Sequence, residues 1–313
     1  MTYALNGLIQ AADHTNFRGD IAPNSAYPSA VAATNKVAAL IGVGYGNRGY
    51  GQTSTVLPVV VPNDIVSAAS WSNLFNAMST MNTHTGSGLT IPAVSSNALI
   101  QVQDGNLSRP NIASLIGTLD TNRMTAAPGQ TALTLALTST RTTVWHTLAT
   151  HQWTVTFTNE DAARYFFNTG GQIYVQASRI GGTSTQINTA FSQLLSAMGT
   201  IRFGASSTTY TGSGGTPAAI GYYGLTGSYG TLFTHFGTLV GYTTISYTLR
   251  ARTENVVNAN GGNGSLIRFQ SLFATNMSTE HTVDGTLIST ASQLKASAPL
   301  VIASPTYITV LPL

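Results

Sequence analysis

The sequence predicts an α+β protein, in which a helical N-terminal region precedes a β-rich, sandwich-like body with one or two short helices. Apolar residues recur with helical spacing over roughly the first 125 residues. After the loop at residues 126–130, apolar residues alternate with polar ones between glycine and asparagine turns, which favours a sandwich. We therefore expect a helical docking region at 1–127, a β-plus-helix unit at 128–204 and a sandwich-like region at 205–313.

The N-terminal region contains three predicted amphipathic helices, at residues 29–41, 64–83 and 111–123. The first is rich in alanine and is followed by Gly42, a residue type that commonly ends helices. In the second, Trp71 and Phe75 belong to an i, i+3, i+4, i+7 series of apolar residues that marks one buried face. These helices either bundle together or lie on a partner, and the second arrangement makes Trp71 and Phe75 candidate interface residues.

The middle unit alternates strands and helices. Apolar residues alternate with threonines at 153–158, which predicts a half-buried strand. Thr158 and Asp161 form a candidate capping box for a short helix that continues through Phe167. Further strands are predicted at residues 172–178 and 201–203, and the clearest amphipathic helix at residues 186–198, before Gly199.

Residues 205–240 are rich in glycine, serine, threonine and tyrosine. Tyr222, Tyr223 and Tyr229 lie among glycines, a composition typical of a structured loop or short strands at a subunit contact, and also of a binding loop. Both interpretations make these three tyrosines candidate interface residues.

The C-terminal region shows plain alternation, with strands predicted at residues 243–252, 266–273, 286–295 and 300–310. Arg250, Arg252 and Arg268 are expected to cluster on one face of the resulting sheet. Such arginines either bind an anion or bridge subunits through carbonyl and carboxylate groups. We favour bridging, and count these arginines as candidate interface residues.

The low charge content is the most informative compositional feature, because only 7% of the residues are charged whereas 42% are hydrophobic. A typical soluble domain has about 25% Asp, Glu, Lys and Arg. Charge keeps a free protein from associating with its own copies. We therefore interpret this chain as one whose surface is largely covered in an assembly, with an extracellular, threonine-rich β protein as the alternative.

Composition also excludes several classes of protein. The chain has no cysteine, which rules out a disulfide scaffold and a thiolate metal site and fits synthesis in a reducing cytosol. Its net charge of +3 comes from scattered basic residues without a basic arm, so we expect no nucleic-acid partner. No secretory signal and no membrane-spanning apolar run is visible, so we expect no membrane insertion.

The motifs that suggest catalysis or cofactor binding fail on their context. Residues 44–49 match G-x-G-x-x-G, but the predicted helix precedes the motif, whereas a dinucleotide site needs a helix after it. His146 and His151 would point to opposite faces of a strand and could not share a metal ion. Glu160 and Asp161 open a predicted helix, where they favour its dipole. We therefore expect no enzymatic activity, no cofactor and no metal ion.

Several stretches, in their proper order, resemble one known family. They are GYGNRGYGQ at 44–52, AARYFFNTGGQI at 162–173, YTLRAR at 247–252, NGGNGSLIRF at 260–269, HTVDGTLISTASQLKAS at 281–297 and SPTY at 304–307. They are similar to virion proteins of tailed bacteriophages, often encoded among tail and neck genes. The resemblance implies a virion structural protein, made in the host cytoplasm, without catalytic residues. Neck, collar, tail tube periphery, baseplate and fibre all remain open as its position.

These observations lead to one functional expectation. The N-terminal helices dock on the particle, and the β body packs against its own copies as a ring or trimer, next to other virion proteins. Affinity comes from buried apolar area and neutral hydrogen bonds, so association depends only weakly on salt. One alternative is a host-binding adhesin in which residues 205–240 bind bacterial surface glycan, and the other is a capsid decoration protein.

Overall fold

The structure, a computed structural model, describes residues 14, 17, 37–52, 57, 67–94, 109–254, 259–277 and 281–310. The helices are α1 (Val37–Ile41), α2 (Ala68–Thr85), α3 (Arg109–Asn122), α4 (Glu160–Asn168) and α5 (Gln186–Met198), with a 3-10 turn at Tyr222–Gly224. The strands are β1 (Thr131–Arg141), β2 (Leu148–Thr156), β3 (Gln172–Ile180), β4 (Ile201–Phe203), β5 (Thr208–Tyr210), β6 (Thr216–Pro217), β7 (Gly230–Phe236), β8 (Ser246–Thr253), β9 (Leu266–Ala274), β10 (Thr286–Ala296) and β11 (Thr306–Val310). The predicted α+β class with a β-rich body is confirmed. Within the described ranges, none of the helices combines the length and apolar character needed to cross a bilayer.

The second and third predicted N-terminal helices are present close to their predicted positions, as α2 and α3. α2 begins after Ser67, whose Oγ accepts a hydrogen bond from the Ser70 backbone N–H at 3.2 Å, and it ends at Gly86 with a φ of 65°. Its buried face packs between α1 and α3, so these helices bundle together. Of the helix predicted at 29–41, only the end that forms α1 lies within the described residues.

The two helices of the β body differ in how well their starts were predicted. α5 has the predicted bounds and is capped by Thr185, whose Oγ1 accepts from the Asn188 backbone N–H at 3.4 Å. For α4 the predicted capping box at Thr158 is wrong, because Asn159 caps the helix and accepts from the Ala162 N–H at 2.8 Å. Asn159 has the extended backbone that a capping residue needs, with a φ of −159°.

The β body is a sandwich of two antiparallel sheets. A five-stranded sheet has the order β1-β10-β3-β4-β5, and a six-stranded sheet has the order β11-β2-β9-β8-β7-β6. Their inner faces meet where His151 Nδ1 lies 2.8 Å from Ser289 Oγ and where the rings of Phe203 and Phe269 pack edge to face. α5 contacts β3 of one sheet and β7 and β8 of the other, so its apolar face completes the core between them.

The expected units at 128–204 and 205–313 contribute strands to the same two sheets. β10 lies between β1 and β3, and β2 lies between β11 and β9. The division expected at residue 204 therefore does not separate the sheets, and both segments share one core.

One lateral side of the sandwich is closed by backbone hydrogen bonds and the other is open. On the closed side, the Thr208 N–H donates to the Ala218 carbonyl, and the Ala218 N–H donates to the Leu232 carbonyl. These bonds connect β5 of one sheet to β7 of the other. On the open side β1 and β11 are the outermost described strands, and they approach at Ser139 and Thr309, whose hydroxyl oxygens lie 3.4 Å apart.

Candidate functional site

A glycine-rich loop at residues 43–52 is held against α4 by a buried arginine. Arg164 is fully buried, and its Nη2 donates to the Val43 carbonyl at 2.5 Å. Its Nη1 lies 3.2–3.3 Å from the carbonyl oxygens of Val43, Gly46 and Arg48. Burying a guanidinium is costly unless its N–H groups form hydrogen bonds. These carbonyl groups accept those hydrogen bonds and so allow Arg164 to be buried.

The carbonyl oxygen of Gly46 is the centre of this junction. Besides Arg164, it accepts from Asn168 Nδ2 at 3.1 Å and lies 2.7 Å from the Tyr223 hydroxyl. That hydroxyl also lies 2.6 Å from Asn168 Oδ1. Burial raises the pKa of Tyr223, so its phenol keeps the single proton that these two acceptors share.

The same loop is bound to α3 on its other side. Asp120 pairs with Arg48 and Arg123, each at 3.3 Å. Arg123 Nε also donates to the Asn47 carbonyl at 3.0 Å, and the Tyr50 hydroxyl donates to the Arg123 carbonyl at 2.5 Å. The loop therefore joins the helical region to the sandwich through polar contacts on both of its sides.

The glycines of this loop are required by its backbone and its packing. Gly44, Gly46, Gly49 and Gly51 have φ values between 54° and 99°, a region that side chains disfavour. A Cβ at Gly51 would also collide with the ring of Tyr165. The loop turns carbonyl oxygens toward cationic and polar donors, whereas a phosphate-binding loop presents N–H groups to an anion. Backbone conformation thus accounts for the G-x-G-x-x-G spacing.

A second polar junction, around Asp284, was not predicted from the sequence. Asp284 Oδ1 lies 3.0 Å from Arg179 Nη2 and 2.5 Å from Asn188 Nδ2, and Oδ2 accepts from the Thr183 hydroxyl at 2.8 Å. Hydrogen bonds from Thr183, Asn188 and Arg179 hold the pKa of Asp284 below its usual value. The carboxylate thereby fastens the connection before β10 to the connection between β3 and α5.

The three candidate arginines lie on the outer face of the six-stranded sheet. Arg252 and Arg268 are opposite each other in the β8–β9 register, and both form ion pairs with Glu254. The distance from Arg252 Nη2 to Glu254 Oε1 is 3.0 Å. The guanidinium of Arg252 also lies over the ring of Tyr229, 5.1 Å from its centroid. Arg250 is exposed on the same face. These residues form a polar patch with an excess of positive charge, which we call the arginine patch.

Trp71 and Phe75, expected as candidate interface residues, lie instead inside the chain's own core. Their side chains are 2% and 3% exposed, and their ring centroids are 5.7 Å apart. Because α2 packs between α1 and α3, the apolar face that looked available to a partner is already covered within the chain. The expectation that Trp71 and Phe75 form an interface is therefore corrected.

The tyrosines of residues 205–240 are similarly divided. The segment forms short strands and a 3-10 turn, and Tyr222 is fully buried, with its hydroxyl donating to the Gly264 carbonyl at 3.0 Å. Tyr223 is bound to the glycine loop as described above. Tyr222 is therefore corrected from interface to core, whereas Tyr223 is half-buried, with its hydroxyl in the loop junction, and stays a candidate interface residue. Tyr229 is half-buried in the arginine patch and remains a candidate.

The two neighbouring histidines have different surroundings. Burial between the sheets lowers the pKa of His151 to about 4, and the charge of Arg141 acts in the same direction. His146 precedes β2 and is exposed, with Nδ1 3.3 Å from Thr282 Oγ1. In the part of the chain that the structure describes, no group of three or more His, Asp or Glu side chains is placed to hold a metal ion.

No known protein family, curated protein or solved structure matches this chain. Its function is therefore proposed from the placement of its own residues together with the resemblance described above.

Proposed function

We propose that this chain is a structural subunit of a tailed-bacteriophage virion, bound to its own copies and to other virion proteins through apolar and neutral polar contacts. The placement of its charges supports this proposal most directly. Asp120, Asp161, Glu254 and Asp284 each form an ion pair with an arginine of the same chain. Asp161, Glu254 and Asp284 reach the surface, but pairing within the chain leaves them little unbalanced charge to oppose association with another protein.

The exposed surface of the sandwich supports the same function. Threonine, serine and glutamine cover much of the outer sheet faces, since they occupy alternate positions of β2, β3 and β10. Large apolar side chains are exposed among them, including Leu133, Leu135, Leu148, Ile180 and Ile308. Such a surface can be buried against another protein without the desolvation cost of removing charges from water.

The placement of the phage-like stretches is also consistent with a structural role. GYGNRGYGQ at 44–52 and AARYFFNTGGQI at 162–173 contact each other through Arg164 and Gly46. The two stretches thus belong to one junction that holds the helical region to the sandwich. The resemblance therefore concerns residues that maintain the architecture.

The test is to look for the chain in purified particles of the phage that encodes it. Mass spectrometry should find it at a fixed copy number per particle, and antibody labelling in negative-stain images should place it at one position. Washing at moderate salt should leave it bound. A chain present in the lysate of infected cells and absent from washed particles contradicts the proposal.

The arginine patch supports a host-binding adhesin as a second candidate. There the Tyr229 hydroxyl accepts from Gln152 Nε2 at 3.3 Å, so aromatic, amide and guanidinium groups lie side by side, as glycan recognition requires. Substituting Tyr229 and Arg250 with Ser should then abolish host adsorption while particles assemble normally, with Val240→Ser as the control at an exposed site. Failed assembly in the double variant supports the structural role instead. Tyr222 is unsuitable for this test, because its ring lies in the core.

A further inference from the structure

The N-terminal half of β1 receives little support from the rest of the described chain. β1 pairs with β10 on one side, and no described strand lies on its other side. Residues 132–135 are exposed on both faces of the sheet, whereas β11 approaches β1 at Ser139, nearer its other end. Among the described residues, this half of the strand is therefore held in the sheet by β10.

The same half is apolar and lacks the charged and proline residues that usually protect an edge strand, and the irregularity in the β1–β10 register, between Leu135 and Leu137, comes after it. Leu133 and Leu135 are 58% and 61% exposed. They lie on the outer face, because their register partners Leu294 and Ser292 alternate with buried residues of β10. Natural edge strands commonly carry charge or proline that blocks pairing with other chains. Residues 131–140 contain no charged residue and no proline.

A second copy of β1 is the occupant that fits this edge. An edge strand binds an extended partner through backbone N–H and C=O groups, and an antiparallel copy presents the same groups in matching order. The first charge of the strand is Arg141 at its end, so two antiparallel copies would keep these arginines at opposite ends of the shared ladder. The opposite side of the sandwich is closed by the Thr208–Ala218 hydrogen bond, which disfavours head-to-tail growth through that side.

We propose that β1 pairs antiparallel with β1 of a second copy across a two-fold axis, which joins two five-stranded sheets into one. The inference rests on the proposed function, since it names the surface through which the copies associate. Leu133 and Leu135 of each copy then lie beside those of the other on the outer face, where opposed and diagonal side chains touch. The product is a two-fold dimer, in place of the ring or trimer expected from the sequence.

The first test introduces charge on this edge. The variant Leu133→Lys with Leu135→Lys places two charges from each copy in the pair, and Val240→Lys is the matched control at a residue that is 90% exposed outside β1. Sedimentation velocity over a concentration series should show dimers for the wild type and the control. The double variant should bind at least about tenfold more weakly, because several cross-strand contacts are lost and like charges meet.

The second test uses the absence of cysteine in this chain. Single cysteines are placed in turn at residues 132–135, and at Val240 as the control. Opposed residues of an antiparallel pair lie about 4.5–5.5 Å apart between Cα atoms, within reach of a disulfide. Mild oxidation should cross-link the variants nearest the two-fold axis and leave the Val240→Cys chain monomeric on a denaturing gel.

The outcomes separate this inference from the proposed function. Undiminished association of the double lysine variant, or equal cross-linking at all positions, overturns β1 pairing and leaves the structural role intact. A wild-type chain that remains monomeric at every concentration contradicts both. A chain that dimerises through β1 but is absent from phage particles contradicts the proposed function alone.

Discussion

Arg164 on α4 donates a hydrogen bond to the carbonyl oxygen of Val43, which lies 121 residues earlier in the chain. The bond spans the boundary between the helical region and the sandwich. The same guanidinium also contacts the carbonyl oxygens of Gly46 and Arg48, so one buried side chain binds three backbone groups of the glycine loop. The orientation of the helices on the sandwich therefore depends on this junction.

Removing Arg164 should destabilise the whole chain. Arg164→Ala leaves several inward-facing carbonyls without donors and should lower the free energy of unfolding by about 3–5 kcal/mol. Arg164→Lys keeps the charge but has fewer donors in a different geometry, so we expect a smaller loss. Urea unfolding measures both, with the exposed Arg250→Ala as the control. A loss for Arg164→Ala no larger than that of the control would show that the junction contributes nothing to stability.

The loop glycines should differ in their tolerance of alanine. Gly46 and Gly51 both have positive φ, so alanine at either position should cost about 1 kcal/mol from backbone strain. At Gly46 a Cβ meets no atom within 4 Å, whereas at Gly51 it collides with the ring of Tyr165. Gly51→Ala should therefore cost about 1–3 kcal/mol more than Gly46→Ala in thermal or urea unfolding. Equal losses for the two variants would contradict the packing of Tyr165 on the loop.

Stability should fall as the solution is acidified below the usual pKa of histidine. Burial lowers the pKa of His151 to about 4 from 6.5, so between these values the unfolded chain binds more protons than the folded one. The stabilisation that comes from keeping His151 neutral is complete above about pH 6.5 and is lost as the pH falls toward 4. The free energy of unfolding should fall over this range by an amount on the order of 3 kcal/mol. Burial also lowers the pKa values of His84 and His235, which adds to the effect in the same direction.

The variant His151→Gln isolates the contribution of this residue. Glutamine keeps a polar side chain near Ser289 but does not titrate in this pH range. The urea midpoint of the variant should therefore change less with pH than that of the wild type. An unchanged slope in the variant would mean that His151 is not held neutral between the sheets.

Asp284 and Arg179 should be energetically coupled. In a double-mutant cycle with Asp284→Asn and Arg179→Gln, the double variant should lose less stability than the sum of the single variants, because either change breaks the same contact. Asp284→Asn combined with Arg250→Gln, on the other sheet, should be additive. Since its pKa is lowered, the stabilisation by Asp284 is present above pH 3.8 and is lost below it. Additivity of the Asp284 and Arg179 changes would show that the ion pair has no role in stability.

The elements that follow from local spacing could be predicted from the sequence. α5 has its predicted bounds because its apolar stripe, its capping Thr185 and the following Gly199 all lie within one short segment. The start of α4 was placed wrongly because Thr158 and Asn159 are adjacent and both residue types cap helices. Backbone conformation, which the sequence does not show, decides between them.

The contacts between distant segments could not be predicted. Nothing near Arg164 indicates that its partners are carbonyl groups more than a hundred residues earlier, because any residue carries such a group. Tyr222 lies in a tyrosine- and glycine-rich segment whose composition suits an exposed loop as well as a packed one. Its hydroxyl can be buried because it donates to the Gly264 carbonyl. That acceptor lies far along the chain, so the residues next to Tyr222 do not indicate it.

The most direct measurement of the central claim is sedimentation velocity of the purified full chain, over a concentration series at low and high salt. If uncharged surfaces hold the copies together, the chain associates and its dissociation constant changes by less than about threefold between roughly 0.1 and 1 M salt. A chain that stays a single, well-behaved monomer at all concentrations, or whose assemblies dissociate as salt is raised, contradicts the account.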